Sequence, residues 1–372
     1  MLTPIVKYPG GKERELKYIL PNLPNNINNY YEPFVGAGAV YFAISDIANE
    51  NYINDKSKDL MLLYTAIKKQ DVSFFQLLTE MNKIWIDIDK YALQAVPILW
   101  KMFNSVDEKI ENSTYFNIPI LIKGIVESFP HNRLPVKFLC NNLKRKFNYL
   151  LKQKQNNKKI ELSNFTDIVL TAYKSTIYMQ YRYLYNSNEP SHSVNGERAA
   201  LYLFLRQYSY SSMFRFSKSG NFNVPYGGKS YNNITLESKL QYYRNYDLIK
   251  TLNDTIIDNE DFEIFLNTRL PKKDDFLFID PPYDSDFSRY DNLSFDAKEQ
   301  KRLASFLIKK TVANWMIVIK DTELIRNIYP IGLETANQGK IYINNFKKTY
   351  NVNFRNRNRK AATHLMITNY EV

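Results

Sequence analysis

The feature that most constrains this chain is a short apolar run, residues 276–279, that ends in Asp-Pro-Pro-Tyr at residues 280–283. Because neither proline can donate a hydrogen bond to a neighbouring strand, the run predicts a buried strand that stops at its carboxyl end. In an open α/β sheet, ligands bind at this edge. The Asp280 carboxylate and a proline carbonyl can accept both hydrogens of an exocyclic amino group, and Tyr283 offers a flat face to a planar ring. The motif favours a nucleobase substrate, and a plain turn after a strand is the alternative.

A second pattern, near the amino terminus, favours a nucleotide-like ligand. Residues 32–38 read Glu-Pro-Phe-Val-Gly-Ala-Gly. The two glycines lie in the turn between a predicted strand at 30–34 and a predicted helix at 39–46. Asp55 follows Gly38 by seventeen residues and ends another predicted strand, the spacing at which an acid reaches ribose hydroxyls. Neither the full G-x-G-x-x-G pattern nor a G-x-x-x-x-G-K-S/T phosphate-binding loop occurs in the sequence. The pattern therefore predicts an adenosyl ligand without a pyrophosphate, against the alternative of a purely structural glycine turn.

The order of these patterns predicts one α/β domain with a large insertion. The length of 372 residues favours two domains rather than one. Strands near 276–280 and 315–320 and a helix near 296–310 continue the α/β pattern of the first sixty residues. We therefore expect residues 1–70 and 240–372 to form the catalytic domain and residues 71–239 to form an inserted, mainly helical domain.

Positive charge is concentrated in two segments of the chain. The net charge is +12, and residues 131–160 carry nine Lys and Arg residues with no Asp or Glu. A second cluster near the carboxyl terminus contains Lys347, Lys348, Arg355, Arg357, Arg359 and Lys360. Such a field attracts polyanions, with affinity that falls as salt rises. Nucleic acid is the expected partner, and an ordinary solvated surface is the alternative.

Several classes of protein are disfavoured by what the sequence lacks. Cys140 is the single cysteine and there are three histidines, so internal disulfides are excluded and a zinc site is disfavoured. No apolar run reaches the ~18 residues that a membrane span needs, and the amino terminus has no secretory pattern. We expect no metal, no membrane and a reducing compartment, the cytoplasm of a bacterium or a phage-infected cell.

Taken together, the motifs resemble those of the Dam-like family of DNA adenine-N6 methyltransferases (D12 class, alpha group), in which the glycine motif precedes the catalytic motif. The resemblance is weak over residues 70–200. The segments that carry it, in chain order, are residues 7–12, 32–38, 54–55, 215–227, 280–283, 296–304 and 365–370.

The resemblance implies a Rossmann-like methyltransferase domain that binds S-adenosylmethionine as methyl donor, without a metal. It implies that Asp55 takes the ribose hydroxyls and that Asp261 and Phe262 neighbour the adenine of the cofactor. The full set of implied cofactor residues is Tyr8, Lys12, Pro33, Phe34, Gly36, Gly38, Asp55 and Asp280.

For the reaction, the resemblance implies that the catalytic motif is Asp280, Pro281, Pro282 and Tyr283. Asp280 and the Pro281 carbonyl would accept the two hydrogens of adenine N6, and Tyr283 would stack on the base. The base must leave the duplex, because its N6 cannot meet the methyl donor inside the stack.

For DNA, the resemblance implies a β-hairpin around Arg215 in the inserted domain. Tyr210, Ser211, Arg215 and Pro225 would contact double-stranded DNA. Arg215 is suited to a guanine edge, with a phosphate contact as the alternative; for Tyr210 the alternative is packing within the strand. Ser211 departs from the asparagine usual in the family, so the target sequence is not carried over.

Three other functions remain open at this point: amino methylation of cytosine N4 or RNA adenine, methylation of a small molecule, and a silent DNA-binding protein. Asp280 favours adenine over cytosine, because serine is commoner at that position in the enzymes that act on N4. A cognate restriction endonuclease and a monomeric state are further expectations.

Overall fold

The computed structural model describes residues 2–8, 10–105, 135–187, 195–282, 295–349 and 361–372. The chain divides into two compact units, the first formed by Met1–Lys69 with Tyr243–Val372 and the second by Gln70–Tyr242. The boundaries expected from the sequence lie within three residues of this division. The role of the second unit in target recognition remains a prediction.

Within the described residues, the first unit contains a seven-stranded sheet in the order β3-β2-β1-β4-β5-β7-β6. Neighbouring strands from β3 to β5 are parallel, whereas β7 is antiparallel to both β5 and β6. The architecture is therefore mixed α/β with a mostly parallel sheet. The strands are β1 (Asn29–Glu32), β2 (Glu50–Asn54), β3 (Thr255–Asp258), β4 (Phe276–Ile279), β5 (Asn314–Lys320), β6 (Tyr342–Thr349) and β7 (Ala361–Thr368).

Twelve α-helices lie in the described ranges, with short 3₁₀ turns at Leu20–Asn22, Tyr210–Ser212 and Lys229–Tyr231. The helices α4 to α8 belong to the second unit and the others to the first. They are α1 (Leu16–Ile19), α2 (Ala39–Ile44), α3 (Lys58–Lys68), α4 (Val72–Ser105), α5 (Val136–Gln155), α6 (Leu162–Asn186), α7 (Asn195–Tyr208), α8 (Glu237–Tyr242), α9 (Tyr246–Asn253), α10 (Phe262–Arg269), α11 (Ala297–Lys309) and α12 (Glu323–Ile328).

Local sequence explains why the elements around the sheet end where they do. All four residues of β4 are buried, as expected for a central parallel strand covered on both faces. Asp296 caps α11 by accepting from the backbone N–H groups of Lys298 and Glu299 at 2.9 and 3.0 Å. Packed beside this helix, Trp315 of β5 donates its indole N–H to the Leu307 carbonyl at 2.9 Å. The apolar core therefore fixes the strands whose ends form the site.

Two predicted element boundaries were wrong. The strand expected at 30–34 ends at Glu32, because Pro33 cannot donate a ladder hydrogen bond and the chain turns into the glycine loop. The helix expected at 39–46 ends at Ile44.

The second unit is mainly helical, and the segment expected to be a β-hairpin has little regular strand. Two isolated antiparallel bridges, Ser209 with Tyr226 and Phe216 with Phe222, hold its two arms together. Helix α6 braces one arm, since Asn186 both donates to the Phe222 carbonyl at 2.9 Å and accepts from its N–H at 2.8 Å. The segment, residues 209–226, is called the recognition loop below.

Candidate active site

The carboxyl ends of β1 and β4 lie side by side at the point where the strand order reverses. From β1 the chain proceeds to β2 and β3 on one side, and then to β4 and β5 on the other. Tyr31 of β1 is paired with Leu277 of β4. Such a switch point leaves a crevice outside the strand ends, where open α/β sheets bind ligands. Glu32 ends β1 and Asp280 directly follows β4, so two carboxyl groups meet at this crevice.

A buried lysine from the amino-terminal turn pairs with Asp280. The Lys12 side chain is 3% exposed and that of Asp280 is 21% exposed, and the two form an ion pair. Lys12 also donates to the Gly10 carbonyl at 3.2 Å. A buried ammonium must be paired to offset the loss of hydration. The pair therefore fixes the turn containing Lys12 against the end of β4.

Glu32 is a buried acid beside this pair, and the sequence reasoning assigned it no role. Its carboxylate accepts a hydrogen bond from the Tyr30 hydroxyl at 2.6 Å. Burial raises the pKa of Glu32 well above its usual value, and the charge of Asp280 raises it further, against the Tyr30 hydrogen bond and the charge of Lys12. Glu32, whose pKa is raised, thus lies beside Asp280, which is ion-paired with Lys12. A charged residue ending an otherwise buried strand was the signal in the sequence.

The glycine loop after β1 is shaped by close approach as well as by backbone angles. Gly38 has φ of +82°, and a Cβ atom there would lie 2.6 Å from the Tyr64 hydroxyl oxygen. At Gly36 a Cβ atom would lie 3.3 Å from the Tyr8 ring. Tyr8 therefore lies against the backbone of the loop, and glycine is required at position 38 by both space and φ.

Asp55, at the end of β2, is tied to this loop. One carboxylate oxygen accepts from the Gly36 N–H at 3.1 Å and the other from the Ser57 N–H at 2.9 Å. Asp55 thus joins the glycine loop to the start of α3. Its expected contact with ribose hydroxyls remains a prediction.

The neighbouring Asn54 connects three strand ends and was missed as a site residue. Its amide nitrogen donates to the carbonyls of Pro33 and Glu260 at 3.0 and 3.1 Å, and its oxygen accepts from the Glu260 N–H at 2.8 Å. Pro33 follows β1 and Glu260 follows β3, while Asn54 itself ends β2. The partners lie 21 and 206 residues away, so no local pattern could reveal them.

Phe34 and its neighbours form an aromatic wall on the same side of the sheet. Its ring centroid lies 5.6 Å from that of Phe262 and 5.5 Å from that of Phe295. Beside them, Asp261 caps α10 and receives two hydrogen bonds of 2.7 Å from Arg302, whose guanidinium also lies over the Phe262 ring. The hydrogen bonds from Arg302 are the main cause that lowers the pKa of Asp261. Asp261 is thus held in an ion-pair network, which the sequence did not reveal.

Pro281 and Pro282 lie just beyond the end of β4, where the sequence predicted that the strand would stop. Pro281 is buried, and the Pro282 carbonyl accepts a hydrogen bond of 2.9 Å from Gln300, which is fully buried on α11. Gln300 is a further residue that sequence reasoning missed. Tyr283 lies outside the described residues.

The expected DNA-binding residues all lie on the recognition loop of the second unit. Tyr210 is 47% exposed, and its N–H donates to the Pro225 carbonyl at 2.9 Å. Arg215 is exposed and donates through Nε to the Asn223 side chain at 3.1 Å. Ser211 is in the left-handed region, with φ of 53° and ψ of 27°. Asparagine tolerates that conformation better than serine does, which gives a physical reason for the family's preference.

The described residues contain no group of three or more His, Cys, Asp and Glu side chains that could hold a metal ion. Among the helices they form, none combines the length and apolar character that a membrane crossing needs.

Comparison with known proteins agrees with this geometry. A family model described as D12 class N6 adenine-specific DNA methyltransferase matches residues 8–338. Type II methyltransferase M.CviBI of Paramecium bursaria Chlorella virus NC1A is 24% identical over 373 residues, covering 99% of this chain and all of that protein. Type II methyltransferase M.MjaIII of Methanocaldococcus jannaschii is 26% identical over 320 residues, covering 83% and 80%. A DNA adenine methylase of Haemophilus influenzae is 22% identical, covering 88% and 82%.

Proposed function

The chain belongs to the D12 class of N6 adenine-specific DNA methyltransferases, and from that premise we propose how its own residues carry out the reaction. It is a site-specific DNA adenine methyltransferase, and its methyl donor is S-adenosylmethionine. The observation that carries the proposal is Asp280 at the switch point of the sheet, ion-paired to the buried Lys12.

The residues at the switch point fit S-adenosylmethionine. Glycine at position 36 lets the Tyr8 ring lie against the loop, and glycine at 38 gives the turn that opens α2. Asp55 would accept hydrogen bonds from the ribose hydroxyls, as acids at this strand end do in nucleotide-binding folds. Lys12 supplies positive charge for the carboxylate of the cofactor. The proposed set is Tyr8, Lys12, Pro33, Phe34, Gly36, Gly38, Asp55 and Asp280.

When bound, S-adenosylmethionine supplies an electrophilic methyl group. The lone pair of adenine N6 is delocalised into the ring, so the amino group is a poor nucleophile. The Asp280 carboxylate and the Pro281 carbonyl each accept a hydrogen bond from one N–H of this amino group. These hydrogen bonds draw electron density onto the nitrogen and orient its lone pair. Tyr283 stacks on the base after it has left the duplex. Rate acceleration then comes mainly from positioning and from acceptors fixed before the reaction begins.

Two residues hold the catalytic acceptors in place. Lys12 restrains the Asp280 carboxylate, and Gln300 restrains the loop through the Pro282 carbonyl. Beside the pair, burial and the charge of Asp280 raise the pKa of Glu32. These contacts support a preformed acceptor site.

DNA recognition is proposed for the second unit through Tyr210, Ser211, Arg215 and Pro225. The exposure of Tyr210 and Arg215 supports this role. Asn223 orients the guanidinium of Arg215 by accepting a hydrogen bond from its Nε. The proposed partner of this guanidinium on DNA is a guanine edge or a phosphate.

The wider setting is also proposed. Relatives named type II methyltransferases support a role in restriction-modification, with a cognate endonuclease as partner. The enzyme is expected to act as a monomer on double-stranded DNA in the cytoplasm.

The proposal is tested by Asp280→Ala, with methyl transfer to DNA measured at saturating cofactor. Loss of a preorganised acceptor should lower kcat at least about a hundredfold to a thousandfold. Because the buried Lys12 also loses its partner, the melting temperature should fall, so kcat is measured at a temperature at which circular dichroism shows the variant to be folded. The matched control is Asp321→Ala, because Asp321 also follows a strand, β5, and pairs with Arg326 at 2.7 Å. The control should keep wild-type turnover. Wild-type kcat in Asp280→Ala would refute the proposed mechanism.

A further inference from the structure

Helix α5, in the second unit, has two sharply different faces. Its buried residues pack towards the unit's interior: Asn142 donates to Thr176 of α6 at 3.0 Å, and the Phe147 ring lies 5.5 Å from that of Phe165. The apolar members of this buried face are Leu139, Leu143, Phe147 and Leu150.

The opposite face is a polar stripe of exposed positions. Its members recur at the spacing of one helical face and are all cations or neutral amides. They are Lys137, Asn141, Arg145, Asn148, Lys152 and Gln155. No Asp or Glu occurs anywhere between residues 131 and 160. This set is called the α5 stripe.

Helix stability does not account for the whole charge pattern. Lys152 lies in the last turn, where a cation interacts favourably with the helix dipole. Lys137, however, lies in the first turn, where a cation is unfavourable. Burial lowers the pKa of Lys146, and the neighbouring charge of Arg145 lowers it further. The helix therefore concentrates positive charges whose mutual repulsion a bound polyanion would reduce.

The position of α5 relates the stripe to the recognition loop within the same unit. Asn142 contacts Thr176, whereas the later Phe147 contacts Phe165, so α5 runs antiparallel to α6. The recognition loop is braced by the carboxyl-terminal part of α6, where Tyr178 donates to the Val224 carbonyl. The Lys137 end of the stripe thus lies along the part of α6 that leads to the loop, and the Lys152 end lies farther away.

We infer that the α5 stripe binds the phosphate backbone of DNA outside the recognition sequence. The inference rests on the proposed function, because it extends the DNA contact of the same unit. From Lys137 to Lys152 the helix rises about 22 Å, roughly the length of six base pairs of B-DNA. Lysine and arginine supply charge, and Asn and Gln supply neutral donors, as phosphate contacts require. Such contacts add affinity without reading sequence.

The test uses the full-length triple variant Lys137→Gln, Arg145→Gln, Lys152→Gln. Binding to a duplex of about thirty base pairs of arbitrary sequence is measured by fluorescence anisotropy over a series of salt concentrations. Each lost phosphate contact should lower the slope of log K against log salt by about 0.9, so the slope should fall by about 2.7. Over a fourfold rise in salt, that difference amounts to about fortyfold in affinity. Discrimination between target and non-target DNA should not change.

The matched control removes the same charge from another exposed helical face of the same unit. Lys83, Lys90 and Lys101 are exposed on α4 at similar spacing, but their face also carries Asp87. Substitution of all three lysines by Gln should change the slope of log K against log salt by less than about 0.9, the value for one phosphate contact. If both triple variants change the slope equally, the effect is one of net charge and the inference is overturned.

A second measurement on the wild type does not depend on any variant folding. Shortening the DNA flanks of a target duplex should weaken wild-type binding, and the α5 variant should lose this sensitivity. Wild-type affinity that is independent of flank length would overturn the inference, as would tighter binding to single-stranded RNA than to duplex DNA. Failure of the proposed function is distinguishable, because the wild type would then not methylate DNA, whereas failure of the α5 stripe leaves methylation intact.

Discussion

Asn54 gives the sharpest quantitative test of how the strand ends are held together. The side chain is 1% exposed and makes three hydrogen bonds, one to the loop after β1 and two to the loop after β3. Asn54→Ala removes all three and leaves the Pro33 carbonyl and both backbone groups of Glu260 short of a partner. The substitution therefore releases the loop at Pro33, a proposed cofactor residue, although Asn54 itself is not in the proposed cofactor set.

The expected cost follows from the number of bonds. A net hydrogen bond contributes about 0.5–1.5 kcal/mol, so Asn54→Ala should lower the free energy of unfolding by about 2–4 kcal/mol. In a unit of this size, 1 kcal/mol shifts the melting temperature by about 2–4 °C. Displacement of the glycine loop should also raise the Kd for S-adenosylmethionine about tenfold, equivalent to about 1.4 kcal/mol.

The matched control lies at the other end of the same strand. Asn51 is also buried on β2 but donates a single hydrogen bond, 3.0 Å long, to the Ser45 carbonyl. Asn51→Ala should cost about 1 kcal/mol and leave cofactor affinity unchanged. Urea denaturation measures stability, and calorimetric titration measures the cofactor Kd.

An isosteric variant separates hydrogen bonding from packing. Asn54→Asp keeps the shape and the acceptor for the Glu260 N–H but loses both donors and buries a carboxylate. It should be at least as destabilising as Asn54→Ala. The reasoning is refuted if Asn54→Ala matches Asn51→Ala in both stability and cofactor affinity.

Two further predictions concern the Arg302 network and the recognition loop. Arg302 lowers the pKa of Asp261, so the pair contributes stability above the usual Asp pKa of about 3.9, and this is lost as pH falls through the lower folded-state pKa. Arg302→Met should therefore lower the urea midpoint at pH 7, and the difference from wild type should begin to shrink at about pH 4 and disappear only as pH falls through the lowered pKa of Asp261; a difference that stays constant as pH falls from 7 through that range would count against the pair. Ser211→Asn should raise the melting temperature, because asparagine relieves part of the ~1–2 kcal/mol cost of the left-handed conformation; an unchanged or lower value by scanning calorimetry would contradict that account.

What the sequence could predict depended on how local the signal was. The run at 276–279 and its two prolines specify a buried strand and its end, and β4 with the following loop lies as expected. The glycines of the loop after β1 were found from their spacing in the chain, although the rings that lie against them, Tyr8 and Tyr64, come from distant positions. The place of Asp280 was therefore predictable from its immediate neighbours.

Residues whose partners are distant could not be found in this way. Asn54 is bonded to a residue 206 positions away, and Gln300 reaches back 18 positions to Pro282. The pairing of Lys12 with Asp280 spans most of the chain, so the sequence indicated two cofactor residues without their contact. The recognition loop also formed less strand than expected, because isolated bridges and α6 hold its arms.

The second unit is inserted at a place that leaves the sheet of the first unit intact. The second unit interrupts the connection from β2 to β3, yet these strands pair directly, with Asn51 opposite Thr255. Within the first unit that connection is completed by α3 and α9, which pack together, and by Lys68, whose ammonium donates to the Thr255 carbonyl at 2.6 Å. The strands that end at or just before Glu32, Asp55 and Asp280 are thus paired with one another within the first unit. If the second unit selects the DNA, as proposed above, substitutions there should alter binding while these strand pairings persist, in keeping with weak family resemblance over residues 70–200 and intact motifs on both sides.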